Sequence, residues 1–327
     1  MLFTVVPALC PAAVAEITPH NTPTNLAVIT LQKDVTDLEI QEALDNLPDA
    51  GGEVILPAGR FEITEPIVLE RDNQTLRGAG AETILYLADN ANCPVIVMGE
   101  AFNVPTNAVR HLRVSDLFID GNRAHQQREL WRLEGEGSEI RNNGITVQNV
   151  CDSTIEHVTC ARCRSGGLVT TLGVRRLVVR DFTAFDNEFD GLACYLTEDS
   201  TFAKLFLHDN SGAGISLDLA FNHNVIENAL LAANDLGIFM RSSRNNQFND
   251  ISIRDSHDYG VFMAQAIAAP QTKCTNNSFT NLITENCRRA AFRINDISCT
   301  NNIIIGAQFD DPHLGLSLVH PDLVTVK

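Results

Sequence analysis

The sequence predicts an all-β fold, a parallel β-helix built as a single-stranded solenoid of about 23 residues per coil. Three observations carry this. Glycines that precede an aliphatic residue recur at nearly constant spacing, apolar residues alternate after each one, and corner residues rather than helical periodicity fill the intervals. The glycines are Gly144, Gly167, Gly191, Gly214, Gly237 and Gly260, spaced 23, 24, 23, 23 and 23 residues apart.

One residue after each glycine stand Ile145, Leu168, Leu192, Ile215, Ile238 and Val261. Three after stand Val147, Thr170, Cys194, Leu217, Met240 and Met263, so this strand buries one face. A second strand appears on counting back from the following glycine. Twelve back are Ile155, Val179, Phe202, Val225 and Phe248; nine back are Val158, Phe182, Leu205, Asn228 and Ile251. Seven back are Cys160, Ala184, Leu207, Leu230 and Ile253, and in these columns Asn228 is the one conspicuous break. Asn222, Asn245 and Asn276 suit tight corners and stacked side-chain ladders. A unit of this kind cannot bury its apolar side alone, whereas stacked units share a continuous core.

The register continues through Phe279 to Ala291 at the glycine site. The longer coil there makes 264–274 an inserted loop, and 122–143 is a second insertion. One solenoid domain is expected over 36–327, after a lead segment 1–35 that is either a signal or a strand packed on the solenoid. That segment opens "MLFTVVPALCPAAVAE", apolar with an Ala-x-Ala ending at Ala15 but no positive start. The expected location is secreted or periplasmic.

The 327 residues carry a net charge of −17, a pI near 4.8 and a mean hydropathy of −0.02. That balance excludes a general affinity for nucleic acid phosphates, and no apolar run is long enough to span a membrane. Nine cysteines are present. Cys160 and Cys163 form a single CxxC with no second half to complete a zinc site, so free buried thiols are expected.

"TDLEIQEALDNLPDAGGEVILPAGRFEI" (36–63) resembles the entry segment of pectate-lyase-like β-helix proteins, and "LFIDGNRAHQ" (117–126) resembles a turn of that superfamily. The resemblance implies a right-handed parallel β-helix whose open end is covered by an N-terminal capping helix. It is weaker for chemistry, because this scaffold hosts lyases, hydrolases, epimerases and adhesins.

Even offsets after each glycine are expected to face solvent. Tyr195, Asp218 and Arg241 share one offset in successive coils, about 4.8 Å apart, and form a column. Phe239 and Phe262 lie beside it, with Tyr259 at one edge, Arg293 beyond, and Asp190 just before Gly191. Trp131 stands in the long insertion near Glu134 and Glu136, as a stacking platform or a loop anchor. Sugar rings stack on aromatics and arginine pairs with a uronate carboxylate, so this face is a candidate saccharide groove. The competing reading is a set of ordinary cross-strand pairs, each worth ~0.2–1 kcal/mol.

A glycosidase needs two carboxylates about 5–9.5 Å apart, whereas Asp190 and Asp218 are spaced about 16 Å laterally on an ideal strand. A hydrolase would therefore need a loop carboxylate such as Glu134 or Glu136. Lyase or epimerase chemistry asks for a base at C5, a cation at the carboxylate and an acid. Tyr195 is a candidate base or acid, Arg241 or Arg293 the cation, and Asp218 the group that orients Arg241.

Asp190-Gly191 is similar to the Asp-Gly of the alginate C5-epimerases. Their preceding Tyr-Gly-Phe-Asp-Pro-His strand, however, reads Gly166, Val169 and Thr171 at its Tyr, Asp and His positions. That mechanism is not carried over, and Asp190 is then expected to cap a corner. His157, His208, His223 and His257 fall at different offsets and suggest no metal pair. Ca2+ at Glu198 and Asp199 is a candidate without an EF-hand-like spacing, and no other cofactor is implied. A carbohydrate partner is expected, with neither nucleic acid nor membrane. Lyase or epimerase leads; a glycoside hydrolase and a non-catalytic carbohydrate-binding or adhesin solenoid remain alternatives.

Overall fold

Coils in a solenoid must turn sharply several times, and left-handed backbone does this at single residues. In the computed structural model, which describes residues 27–102, 104–127, 141–264, 273–310 and 315–327, those residues recur in columns. Asp116, His157, Asp181, Lys204, Asn228, Asp250 and Asn281 all have φ between 50° and 57°. They sit inside strands such as Thr154–Ala161, Val178–Phe185, Thr201–His208 and Gln247–Arg254. Each breaks the two-residue alternation once. This is why the apolar positions of the second strand are spaced three and then two, as in Phe202, Leu205 and Leu207. Among the described residues none of the left-handed non-glycine residues is β-branched, as the steric cost requires.

Among the described residues the strands pair in parallel from coil to coil and form a 15-stranded, a 10-stranded and a 4-stranded sheet. The glycine-led strands make the 10-stranded sheet. A Cβ at Gly144, Gly167, Gly191, Gly214, Gly237 or Gly260 would meet the carbonyl oxygen of the next coil's equivalent residue at 2.4–3.1 Å. Close approach therefore demands glycine at those positions. Ala291, opposite Gly260, follows the same register, with Val261 paired to Phe292.

One stretch departs from the sequence expectation. The core residues of strand Val225–Ala232 are Ile226, Ala229 and Leu231, not Val225, Asn228 and Leu230. Ala220 is an extra left-handed residue at the corner before this strand, and the corner before Gly237 is one residue shorter than its neighbours. The two changes cancel in the glycine spacing, so counting between glycines hides them. Asn228 is then no flaw in the core but a member of the left-handed column.

Buried asparagines hold the corners together. The Asn187 and Asn210 side-chain amides donate to Asn210 and Asn234 Oδ1 at 2.9 and 2.8 Å. A second ladder runs Asn224, Asn246, Asn277, Asn302, each Oδ1 also taking a backbone N–H from the coil before. Of the asparagines singled out from sequence, Asn245 and Asn276 join in a separate, exposed step of 3.1 Å.

The helix Asp37–Asp45 is set by a capping box between Thr36 and Glu39 and buries Ile40, Ala43 and Leu44. Asp37 accepts from Thr64 N and Oγ1, both at 2.6 Å, and so ties this helix onto the first coils as a cap. Ala27–Thr30 pairs in parallel with Gly52–Ile55, so the solenoid's hydrogen bonding begins before residue 36. Among the described residues Cys93, Cys160, Cys163, Cys194, Cys274 and Cys299 are thiols as expected, but Cys151 is disulfide-bonded, which corrects the expectation there.

Candidate functional site

The outer face of the 10-stranded sheet carries the expected column. Tyr195 is in register with Asp218, and Arg241 Nη2 bonds Asp218 Oδ2 at 2.5 Å. Contrary to the expectation of solvent exposure, Asp218 is only 4% exposed, and Thr146, Gln148, Ala193 and Ser216 at neighbouring outward offsets are buried as well. Strand alternation says which side a residue faces, not whether that side is covered. Burial raises the Asp218 carboxyl above its usual range against the pull of Arg241 and a 2.8 Å bond from Leu219 N. Arg241 Nε is buried and makes no hydrogen bond.

Asp190 is half-buried, and desolvation pushes it up to about 6, opposed by a 2.7 Å bond from Ala213 N, by Arg141 and by Ser216. Gly212 leaves it room: a Cβ there would stand 2.6 Å from Asp190 Oδ1. Tyr195 is pushed up to about 12, first by burial and then by the Asp190 carboxylate, with Arg141 and Arg241 pulling the other way. Its phenol is therefore protonated at neutral pH, and of its two expected roles the proton donor fits this environment. Tyr195, Asp190, Asp218 and Arg241 form one electrostatically linked group.

Beside this group runs an aromatic row. The Arg241 guanidinium lies 5.0 Å from the Phe239 ring centre, Phe239 stacks on Phe262 at 5.8 Å and 6°, and Phe262 meets Tyr259 at 5.3 Å. Arg293 is the register partner of Phe262 but is engaged with Ser317 Oγ and Asn295 Oδ1. Trp131, Glu134 and Glu136 lie outside the described residues. Glu198 accepts a 2.6 Å bond from Arg175, and Asp199 is a left-handed corner residue. His223 is likewise a left-handed corner residue, and His157 belongs to the left-handed column inside the strands.

Sequence reasoning missed Arg141, Ser216 and Arg289. Arg289 sits at a corner just before Ala290, and offsets counted along the strand pass over it. The visible signal was the Arg288-Arg289 pair ahead of the Ala291 site.

Among characterised proteins, the mannuronan C5-epimerase AlgE1 of Azotobacter vinelandii is 29% identical over 189 residues, 54% of this chain and 13% of that protein. AlgE4 of the same organism is 28% identical over 187 residues, covering 54% of this chain and 32% of the epimerase. The chain thus spans a third or less of these relatives. Among solved structures, ORF18 of Geobacillus virus E2 aligns with a TM-score of 0.70 at 14% identity, over 91% of this chain and 60% of that one. The AlgE6 A-module of Azotobacter vinelandii aligns with a TM-score of 0.57 at 16% identity, over 89% and 93%. At such identities the structures speak for the β-helix fold alone. The family described as periplasmic copper-binding protein (NosD) matches residues 119–310, more than half of the sequence, and the chain belongs to that family.

Proposed function

We propose that this face acts on uronic-acid-containing polysaccharide by abstraction of the C5 proton, as a lyase or an epimerase. The observation that carries the reading is the separation of two neighbouring groups, Asp190 near 6 and Tyr195 near 12, beside the Asp218–Arg241 pair. Asp190, ionised above pH 6 and more basic than an ordinary aspartate, takes the C5 proton. Arg241, held by Asp218, neutralises the adjacent carboxylate as its negative charge grows. Tyr195 gives a proton to the departing glycosidic oxygen in a lyase, or to the opposite face of C5 in an epimerase. The mannuronan C5-epimerases found as relatives support this class of substrate.

The test is a screen of polyuronates, following ultraviolet absorbance of unsaturated ends and NMR of epimerised units. Tyr195→Phe and Arg241→Ala should each lower turnover by about 100-fold or more, the first with little change in melting temperature and the second with a lower one, because it leaves the buried Asp218 without its cation. Full activity in both variants would place the chemistry elsewhere. Binding without turnover would favour a second reading, a carbohydrate-binding solenoid, which the Gly166, Val169 and Thr171 departures from the epimerase strand favour.

The family's description names copper, whose soft ligands are thiolate, thioether and imidazole. Met98, Met240 and Met263 are packed in the core, as are the thiols of Cys160, Cys163, Cys194, Cys274, Cys287 and Cys299. Among the described residues no group of three or more His, Cys, Asp or Glu side chains is arranged to hold an ion. These residues do not fit copper, and no step is routed through a metal. A periplasmic or extracellular location fits the family description and the disulfide at Cys151. Among the described residues no helix is long and apolar enough to cross a membrane.

A further inference from the structure

We propose that Asp258, Tyr259 and Arg289 form a carboxylate-binding subsite at the far end of the aromatic row, taking a second uronate of the same acidic oligosaccharide. The inference rests on the polyuronate reading and adds to it a second point of charge recognition. The Arg289 Nε lies 2.8 Å from Asp258 Oδ1, and its guanidinium carbon lies 5.6 Å from the centre of the Tyr259 ring. The side chain is nevertheless 65% exposed. A carboxylate behind it and a ring beside it fix the guanidinium in orientation while it remains open to solvent. That pre-organisation lowers the entropy lost when arginine grips a planar carboxylate.

Position distinguishes this from an ordinary surface ion pair, which stabilises a fold very little. Arg289 is joined to Tyr259, Tyr259 to Phe262, Phe262 to Phe239 and Phe239 to Arg241 by ring contacts of 5.0–5.8 Å. The row is half-exposed throughout and has a guanidinium at each end. Neutral sugar could stack on the rings, but only a ligand with carboxylates on two separated residues uses both arginines. Arg288, also exposed, adds positive charge to the same corner, where Asp258 and Asp235 are the opposing carboxylates, in a protein whose net charge is −17. Local concentration of arginine is what such a background requires if an anion is to be held.

The experiment compares the full chain with Arg289→Ala and Arg289→Lys, titrated calorimetrically with polyuronate oligomers and with the same oligomers after carboxyl reduction. Arg289→Ala should weaken binding of the acidic oligomers by about tenfold and leave the reduced ones unchanged, raising KM without lowering kcat. Arg289→Lys should recover only part of the loss, because ammonium cannot bind bidentately. Equal loss on both ligands, or no loss on either, overturns the subsite while the polyuronate reading stands. If the unaltered protein binds neither oligomer, the polyuronate reading fails and the subsite fails with it.

Discussion

Asp190 joins a cost in stability to the role proposed for it in chemistry. Its carboxyl is pushed up to about 6 from 3.8, so the folded chain holds this proton more tightly than the unfolded one. Its protonated form favours folding at low pH, and that contribution is lost as pH rises from about 4 through about 6. Asp190→Asn keeps an acceptor for Ala213 N and removes the buried charge. It should therefore raise stability by about 1–2 kcal/mol at pH 8, with the gain fading below pH 6, while abolishing turnover. Thermal melts across pH check the first half and the polyuronate assay the second. The Asp-Gly step was legible in the sequence, but its environment was not, because the space around Asp190 is made by Gly212 one coil later.

Corners hold this fold to its register. Asn210 accepts the Asn187 side-chain amide, and its own amide reaches Asn234 Oδ1 at 2.8 Å and Ala184 O at 3.2 Å. Asn210→Ala leaves several buried polar groups without partners and should destabilise the chain by about 2–4 kcal/mol, read from urea midpoints. The exposed change Asn276→Ala, which loses the bond to Asn245 and asparagine's tolerance of left-handed backbone, should cost only about 1 kcal/mol. The columns flanking each glycine could be read because alternation and a fixed coil perimeter write them into the sequence. The shift at Ile226, Ala229 and Leu231 could not, since compensating corner lengths leave glycine spacing intact. Only a reading that asks which residues are left-handed separates Asn228 from its core neighbour Ala229.

Charge acts over the whole molecule. An excess of −17 repels a polyanion at long range, while in the proposed groove Arg241 and Arg289 would attract it at contact. Raising salt from a few millimolar towards about 0.15 M shortens the Debye length to about 8 Å and screens the repulsion first. Association with polyuronate should accelerate over that range, the reverse of a basic polyanion binder. Stopped-flow measurements that slowed monotonically with salt would refute this. At this scale the fold was legible from repetition alone. The covering of the outer face was not, because alternation marks Thr146, Ser216 and Asp218 as outward and carries no information on whether that side is covered.

The glycine column has a last consequence. Each absent methyl leaves a notch that receives the carbonyl of the coil above, so the six coils from Gly144 to Gly260 present their successors with the same docking edge. A solenoid made this way can lengthen by duplication of one unit, with no new interface to invent. Duplicating the unit around Phe239 would add another ring to the aromatic row and extend the surface by one step. The reach of such a protein along a polymer is thus inheritable in whole coils.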